Sequence, residues 1–454
     1  MPGPAAVRAW ARGVLFAVVT SRATSGATTP VASSEAVTAS LVVRSVALDR
    51  DTAGSLLDLV PADRPVAWLR RGDGLVGWGV AAEVRTAGAT RFTDADKWWS
   101  EMISRSVVHD EVGEPGSGLV GFGSFAFADE PGDSVMAVPR VIVGRRGDRT
   151  WLTTIAPEAE VLARPDVVRP PGPAEPPVPP SAVTFADGAV NGEQWMGVVA
   201  ESVARINAGR LEKVVLARDL IATAEAPLDV RWPLARLTSL YPMCWTFHVD
   251  GLFGATPEML VRRERGLVTS RVLAGTIRRT GDDERDLALA ATLARSSKDL
   301  EEHEYAVRSV ADALDPHCSS MNVPEAPFVL HLPNVMHLAT DVAGVVHDAA
   351  TVSSLRLAEA LHPSAAVGGT PTAAALALIA ELEGMDRGRY AGPVGWMDAD
   401  GDGEWGLALR SAELDGDTVR LFAGCGIVAD SDPEAELAES QAKLVPVRDS
   451  LTGT

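Results

Sequence analysis

PEAELAESQAK, residues Pro433–Lys443, predicts a helix with acidic side chains on one face. Alanine, glutamate, leucine and lysine favour helix, and proline is well tolerated in the first helical turn. Glu436 and Glu439 are three residues apart and Lys443 follows four residues later, so the three share a face. The stretch comes directly after an apolar, glycine-rich strand, LFAGCGIV at Leu421–Val428, which should be buried. A charged face beside a buried strand indicates a site rather than a solvated surface.

A second acidic cluster lies on another predicted helix. Residues 285–314 read as one long helix, in which Asp299 and Glu302 share a face at i, i+3 spacing. Two helices that offer carboxylates to one point suit a hard cation, and Mg²⁺ takes one or two carboxylates, water and often an anionic substrate group. The alternative, two solvated charged faces, stays open on spacing alone.

Composition narrows the class of protein. The chain has 454 residues, of which 46% are hydrophobic, and a net charge of −20. This acidic balance argues against nucleic acid binding, and an anionic substrate would need a locally positive site. Three cysteines without metal-ligand spacing indicate reduced thiols in a cytoplasmic protein. No stretch has the length of a membrane span, so we expect no membrane partner, and a monomer or weak dimer.

The chain divides at one proline-rich segment. Residues 1–40 predict a loosely ordered extension, with a secretory signal or an overlong start as alternatives. Residues 41–454 predict one catalytic domain, with a strand-rich part at 41–163 and a catalytic part at 182–454. Between them, 164–181 should form an extended surface loop, although a domain linker is the alternative. Near the start of the domain, Asp73-Gly74 predicts the turn of a β-hairpin.

Two residues are candidates for acid–base chemistry. Lys213 opens the β-branched run KVVL, so it is either an exposed strand end or a lysine facing a pocket, where burial favours the neutral form. Glu258 follows Thr256-Pro257 in a tight turn, where it could instead cap local amides.

An acidic hairpin imitates a calcium motif. Asp398, Asp400, Asp402 and Gly403 match the first half of an EF-hand loop, but the twelfth position is Leu409 instead of the bidentate glutamate. We therefore interpret the segment as an acidic turn. The zincin, Walker and nucleophile-elbow motifs are absent from the sequence.

Taken in order, several strings resemble the chorismate-utilising enzymes, and among them those that form isochorismate. The resemblance is dense over residues 190–448 and looser in the N-terminal strands. The matching strings are KVVLAR (Lys213–Arg218), GATPEML (Gly254–Leu260), LAGTIRR (Leu273–Arg279), SKDLEEHE (Ser297–Glu304), HLAT (His337–Thr340), LHPSAAVGGTP (Leu361–Pro371), GLALR (Gly406–Arg410) and FAGCGIV followed by EAELAESQAKL (Phe422–Leu444).

The resemblance implies an α/β (α+β) fold in which two antiparallel sheets pack together, with helices outside and the site between them. It implies Mg²⁺ held by Glu302 and Glu439, with Glu436 and Asp299 in support. It also implies that chorismate is bound by Arg410 and Lys443 through its carboxylates, with His337 near the ring. The remaining implied contacts are Gly275, Thr276, Ala366, Ala423 and Gly424.

The implied reaction adds water at ring carbon 2, shifts the double bond and expels the 4-hydroxyl group. Lys213 matches the family's base and Glu258 its acid, so the lysine must be neutral and the glutamate protonated, as burial favours. The product would feed menaquinone or siderophore synthesis.

Single positions separate the members of the family. Lys213 resembles the water-using enzymes, whereas Ala274 differs from the lysine of the amine-adding ones, and Ala366 stands where salicylate-forming members carry threonine. The alternatives are a salicylate synthase, an anthranilate- or aminodeoxychorismate-type enzyme, or a silent protein that binds an anionic metabolite.

Overall fold

The structure is a computed structural model that describes residues 40–48, 54–163, 173–331 and 335–452. The side chains of Lys298 and Glu302 lie outside the described part. The predicted extension at 1–40 falls almost entirely outside it, as does the first half of the proline-rich segment.

Strands supply most of the described secondary structure. They are β1 (Leu41–Leu48), β2 (Val66–Arg70), β3 (Asp73–Trp78), β4 (Ala82–Thr86), β5 (Val107–Asp110), β6 (Val120–Ser124), β7 (Ser134–Val138), β8 (Val141–Arg146), β9 (Arg149–Pro157), β10 (Val183–Asp187), β11 (Lys213–Ala224), β12 (Trp245–Val249), β13 (Leu252–Thr256), β14 (Met259–Glu264), β15 (Leu267–Arg278), β16 (Cys318–Asn322), β17 (Phe328–His331), β18 (Val335–Val346), β19 (Gly369–Thr370), β20 (Pro393–Asp398), β21 (Gly403–Leu407), β22 (Ser411–Asp415) and β23 (Thr418–Ile427).

The helices lie between these strands in the chain. They are α1 (Arg91–Arg105), α2 (Glu158–Ala163), α3 (Gly192–Asn207), α4 (Arg231–Leu240), α5 (Asp283–Leu293), α6 (Ser297–Leu314), α7 (Ser354–Leu361), α8 (Thr372–Leu382) and α9 (Pro433–Thr452), with short 3-10 helices at Leu56–Leu59 and Asp315–His317. No helix among the described residues is long and apolar enough to cross a membrane.

The strands form two sheets. The first sheet runs β10-β11-β23-β22-β13-β12-β2-β3-β8-β9-β1-β5, with β19 beside β11. The second sheet runs β16-β18-β15-β14-β21-β20-β6-β7-β4, with β17 beside β18. The predicted two-sheet fold is confirmed. The prediction of purely antiparallel sheets is wrong at one described pair, since β1 and β5 run parallel. β2, β3, β4 and α1 lie between these two strands in the chain, so no hairpin turn joins them.

Each sheet combines strands from both sides of the proline-rich segment. In the first sheet β2 pairs with β12, and in the second sheet β6 pairs with β20. The core lies between the sheets and includes Trp68 and Phe247 from the first, and Phe122 and Trp405 from the second. Trp68 donates a hydrogen bond from Nε1 to Oε2 of Glu404 across this interface, at 2.7 Å. The two parts of the chain therefore share one core.

Two local predictions are corrected. In the first hairpin Arg70 pairs with Asp73, so the turn residues are Arg71 and Gly72 and not Asp73-Gly74. Both have positive φ, 55° and 83°, as a two-residue type I′ turn requires.

The predicted helix at 285–314 is in fact two helices, α5 and α6, separated at residues 294–296. The side chain of Ser296 accepts a hydrogen bond from the amide of Asp299 and so starts α6 as an N-cap. Serine offers the backbone this local alternative to a continuous helix. The break sets the direction of the helix that carries Asp299.

The chain passes between the sheets several times, and two of these crossings are adjacent. It leaves the first sheet after β13 and enters the second at β14, and it returns from β21 to β22. The amide of Ala255 donates to the carbonyl of Arg410 at 3.2 Å, and the amide of Leu407 donates to the carbonyl of Glu258 at 3.1 Å. The two crossings therefore hold Glu258 and Arg410 next to each other between the sheets.

The carboxylates of the acidic hairpin accept hydrogen bonds from backbone amides of the hairpin and from a neighbouring arginine. Oδ1 of Asp398 accepts the amides of Asp400 and Asp402, at 3.1 and 3.0 Å. Oδ1 of Asp402 accepts from Nη1 of Arg263 at 2.9 Å. These oxygens stabilise the turn that joins β20 to β21.

Replacing Pro176–Pro180 with a glycine–serine stretch of equal length should leave activity and the thermal midpoint nearly unchanged. These residues have no regular structure, and Val178 is 76% exposed. An extended surface segment that buries little contributes little to folding.

The neighbouring Ala174 serves as the contrast, because its amide donates to the carbonyl of Asp58 at 2.7 Å. Ala174→Pro should lower the free energy of unfolding by about 1 kcal/mol in chemical denaturation. A large loss of stability in the glycine–serine variant would instead mean that the prolines pack on the core.

Candidate active site

The candidate site lies where α9, which packs on β23 of the first sheet, brings Glu439 and Lys443 within electrostatic range of His337 on β18 of the second sheet. The predicted helix at Pro433–Lys443 is confirmed as the start of α9. Nζ of Lys443 lies 2.6 Å from Oε1 of Glu439 and donates to the carbonyl of Gly424 on β23 at 2.9 Å. Burial opposes ionisation of Glu439, but the charge and hydrogen bond of Lys443, with Arg410 and Arg278, outweigh it and lower the pKa. Glu439 is therefore an anion at neutral pH.

Glu436 completes the acidic face of α9. It accepts a hydrogen bond from Oγ of Ser431 at 2.8 Å, and burial raises its pKa. One carboxylate oxygen of Glu436, one of Glu439 and Sγ of Cys425 lie within 4.8 Å of one another. Two hard oxygen donors at this spacing fit Mg²⁺, whereas the thiol is a soft ligand that Mg²⁺ does not prefer.

The other predicted metal ligands lie on α6. Asp299 packs against β15, since a Cβ added at Gly275 would lie 3.2 Å from Cβ of Asp299. The side chain of Glu302 lies outside the described part, so its role as a ligand stays a prediction.

A bulge in β15 shapes the wall opposite α9. The register with β18 shifts between Ala274 and Thr276, and Gly275 there has a φ of 76°. Oγ1 of Thr276 lies 2.9 Å from Nδ1 of His337 on β18. Burial, aided by the charges of Arg410 and Lys443, lowers the pKa of His337 to about 4. The imidazole is therefore neutral at physiological pH and suits a contact with a polar ring rather than an ion pair.

Glu258 lies in the Thr256-Pro257-Glu258 turn at the first crossing between the sheets. Burial raises its pKa to about 7, although the charges of Arg410, Lys213 and Lys443 oppose the shift. A carboxyl group with this pKa is largely protonated just below neutral pH and can donate a proton. The alternative was that Glu258 only caps local amides. That role would not explain why the charges of Arg410, Lys213 and Lys443 all act on it.

Lys213 opens β11 beside a cavity of about 190 Å³, which Ala274, Ala366 and Tyr305 also line. Gly426 of β23 leaves room for its side chain, because a Cβ there would lie 3.0 Å from Cε of Lys213. The lysine is half-buried, so it faces the pocket and is not the exposed strand end that was the alternative.

Arg410 occupies the second crossing with a φ of 51°, a left-handed conformation that costs energy for a residue with a side chain. Its positive charge acts to lower the pKa values of Glu258, His337 and Glu439. Such strain is typical of functional sites, where the surrounding structure holds the residue in place.

Ala423 and Gly424 lie on β23, paired with Arg218 and Ala217 of β11. Beside them the structure adds a residue that the sequence analysis missed. Tyr390 is 4% exposed, its ring stacks on Phe422 with centroids 5.0 Å apart, and its hydroxyl would lie 3.1 Å from a Cβ at Gly424. Tyr390 lies in an irregular segment without hydrophobic periodicity, so its burial could not be predicted from the sequence pattern. The one feature that sets it apart in the sequence is that the chain has only three tyrosines.

Comparisons with known proteins indicate the family of the chain. Residues 67–452 match the family described as chorismate binding enzyme. The chain is 34% identical over 405 residues to the salicylate biosynthesis isochorismate synthase of Pseudomonas aeruginosa, covering 83% of this chain and 82% of that protein. It is 36% identical over 276 residues to isochorismate synthase MenF of Bacillus subtilis, covering 60% of this chain but only 58% of that relative.

A solved structure has the same fold. The menaquinone-specific isochorismate synthase MenF of Escherichia coli aligns with a TM-score of 0.74 and 25% identity, covering 91% of this chain and 95% of that one. The resemblance drawn from the motifs is confirmed, and the chain belongs to the chorismate binding enzyme family.

Proposed function

We propose that this protein is an isochorismate synthase, which converts chorismate to isochorismate. The observation that carries the proposal is the environment of Glu258: a half-buried acid with a pKa of about 7 that interacts with the charges of Lys213, Arg410 and Lys443. A base, an acid and two anion-binding cations in one site are what addition of water to a dianion and loss of a hydroxyl group require.

The positively charged side chains of the site bind the substrate. In a chain of net charge −20, chorismate meets a favourable potential only where Arg410 and Lys443 reverse the local field. The guanidinium of Arg410 offers a planar fork to one carboxylate. The neutral His337 and the β15 bulge at Gly275 form the wall against which the ring lies.

The chemistry uses the two faces of the ring. Lys213, as the general base, takes a proton from water as the water oxygen bonds to ring carbon 2. The double bond shifts, and the bond between ring carbon 4 and its hydroxyl oxygen breaks. Glu258 protonates that hydroxyl, which leaves as water. Lysine ends protonated and glutamate ionised, and one proton returned through solvent restores both.

Glu439 and Glu436 would hold Mg²⁺ together with Glu302, and Asp299 stands in support. When bound, the ion would neutralise a substrate carboxylate and orient the ring. The Glu439–Lys443 contact at 2.6 Å supports this assignment, because it keeps the carboxylate ionised.

The methyl group of Ala366 favours isochorismate as the end product over salicylate. Ala366 lines the same cavity as Lys213 and brings no hydroxyl group to it. The product would then pass to menaquinone or siderophore synthesis in the cytoplasm.

Product analysis of the purified protein with chorismate, with and without Mg²⁺, tests the proposal. Isochorismate as the product supports it. Salicylate with pyruvate would identify a salicylate synthase instead, and binding of chorismate without turnover would identify a silent binding protein.

Arg410→Lys should lower kcat/KM at least about tenfold, which corresponds to about 1.4 kcal/mol of transition-state stabilisation. Lysine keeps the charge but loses the fork that binds a carboxylate at two points. Steady-state kinetics with chorismate measure the effect.

Arg71→Lys is the matched control for this variant. Arg71 has a similar φ of 55° but is exposed at the β2–β3 turn, outside the site. An unchanged kcat/KM in Arg410→Lys would remove Arg410 from the substrate contacts.

A further inference from the structure

A buried ion pair lies behind the wall of the cavity that contains Lys213. Glu383, directly after α8, is 2% exposed and Arg387 is 3% exposed. Nε of Arg387 donates to Oε2 of Glu383 at 2.8 Å, and Nη2 donates to Oε1. The guanidinium also lies over the ring of Phe127, 4.1 Å from its centroid. The pair is thus fully enclosed and held in one orientation.

One side of the pair binds β11, just beyond the proposed base. Nη2 of Arg387 donates to the carbonyl of Val215 at 2.7 Å. Oε1 of Glu383 accepts from the amide of Ala217 at 2.8 Å. These two residues follow Lys213 by two and four positions in the same strand, so the pair fixes the backbone from which Lys213 projects.

The other side binds the loop Ser364–Gly368, here called the Ala366 loop. Nη1 of Arg387 donates to the carbonyl of Val367 at 3.0 Å. The carbonyl of Gly368 accepts from the amide of Val215 at 2.9 Å, which ties the end of the loop to β11 as well. One guanidinium thereby joins two segments that line the cavity, one with Lys213 and one with Ala366.

Stability alone does not account for this arrangement. A buried ion pair gains little over apolar residues of similar volume, because both charges lose their hydration. An arginine fork, however, fixes the separation and angle of the groups that it bridges. The pair therefore fixes how the two segments of the cavity wall are placed relative to each other.

We infer that Arg387 and Glu383 are positioning residues that hold the Lys213 strand and the Ala366 loop at the separation that water addition requires. This inference rests on the proposed function. A displacement of about 1 Å from reactive geometry costs about 10²-fold in rate. In the part of the chain that the structure describes, Arg410 and Lys443, the proposed carboxylate-binding groups, make no hydrogen bond with the pair. Loss of the pair should therefore lower kcat and leave KM nearly unchanged.

The test compares kcat, KM and thermal midpoint in Arg387→Lys and the wild type. Lysine keeps a positive charge opposite Glu383, but a single nitrogen cannot span Val215, Val367 and Glu383 as the fork does. We expect kcat to fall about 10- to 100-fold and KM to change less than about threefold. Arg389→Lys is the matched control: Arg389 bonds Ser124 and the carbonyl of Asp250, away from the cavity, and should keep wild-type kcat.

A second variant distinguishes an effect of geometry on kcat from an effect of the buried charges. Glu383→Leu/Arg387→Met removes both charges, so it leaves no unpaired buried ion and should fold. It should lose kcat as Arg387→Lys does. Wild-type kcat in either folded variant, a loss confined to KM, or failure of both variants to fold would overturn the inference. Absence of isochorismate from the wild-type reaction would instead overturn the proposed function, so the two failures are distinguishable.

Discussion

Lys213→Gln should lower kcat by about 10² to 10⁴ while the affinity for chorismate stays nearly unchanged. The factor is the usual contribution of general acid–base catalysis. Arg410 and Lys443 would still bind the substrate, so calorimetric titration with chorismate should give a Kd close to that of the wild type. Lys97→Gln is the matched control, because Lys97 is an exposed lysine on α1. Wild-type kcat in Lys213→Gln would mean that another group activates the water.

Glu258→Gln should cause a loss of similar size and should also change the pH profile. The carboxyl must be protonated to donate, so wild-type kcat/KM should fall as pH rises through about 7, the pKa of Glu258. Glutamine does not titrate, and the residual activity should lack this alkaline limb. An alkaline limb that persists in Glu258→Gln would assign the acid to another residue.

Removal of divalent cations should abolish turnover, and added Mg²⁺ should restore it. Glu439 is held as an anion beside Glu436, and two carboxylates facing a dianionic substrate would repel it without a cation between them. Activity before and after chelation with EDTA, followed by Mg²⁺ titration, measures the effect. Full activity in thoroughly stripped protein would contradict the metal assignment.

Substitutions on α9 locate the ion. Glu439→Gln should weaken Mg²⁺ binding in calorimetric titration, whereas Glu434→Gln on the exposed first turn of the same helix should not. The predicted role of Glu302 is tested in the same way with Glu302→Gln. Equal Mg²⁺ affinity in all three variants would place the ion elsewhere.

Much of the local structure was predictable because it depends on neighbours in sequence. The helix at Pro433–Lys443, its acidic face and the buried strand before it follow from composition and spacing, and the structure confirms them. The motif strings in their order were enough to predict the two-sheet fold. The prediction of a turn at Asp73-Gly74 is wrong because the strands pair in a shifted register. The prediction of an unbroken helix at 285–314 is wrong because one serine caps the start of a second helix.

The amino-acid sequence by itself determined which groups are available: a lysine at the start of a strand, a glutamate in a turn, and acids at helical spacing. Only the tertiary structure decided which of them meet. The pKa of Glu258 depends on burial and on Lys213, Arg410 and Lys443, which come from three other segments of the chain. Tyr390 and Arg387 gain their positions through contacts with β23, β11 and the Ala366 loop. Electrostatic interactions and packing depend on distance in space, and the folding of two sheets against each other sets that distance.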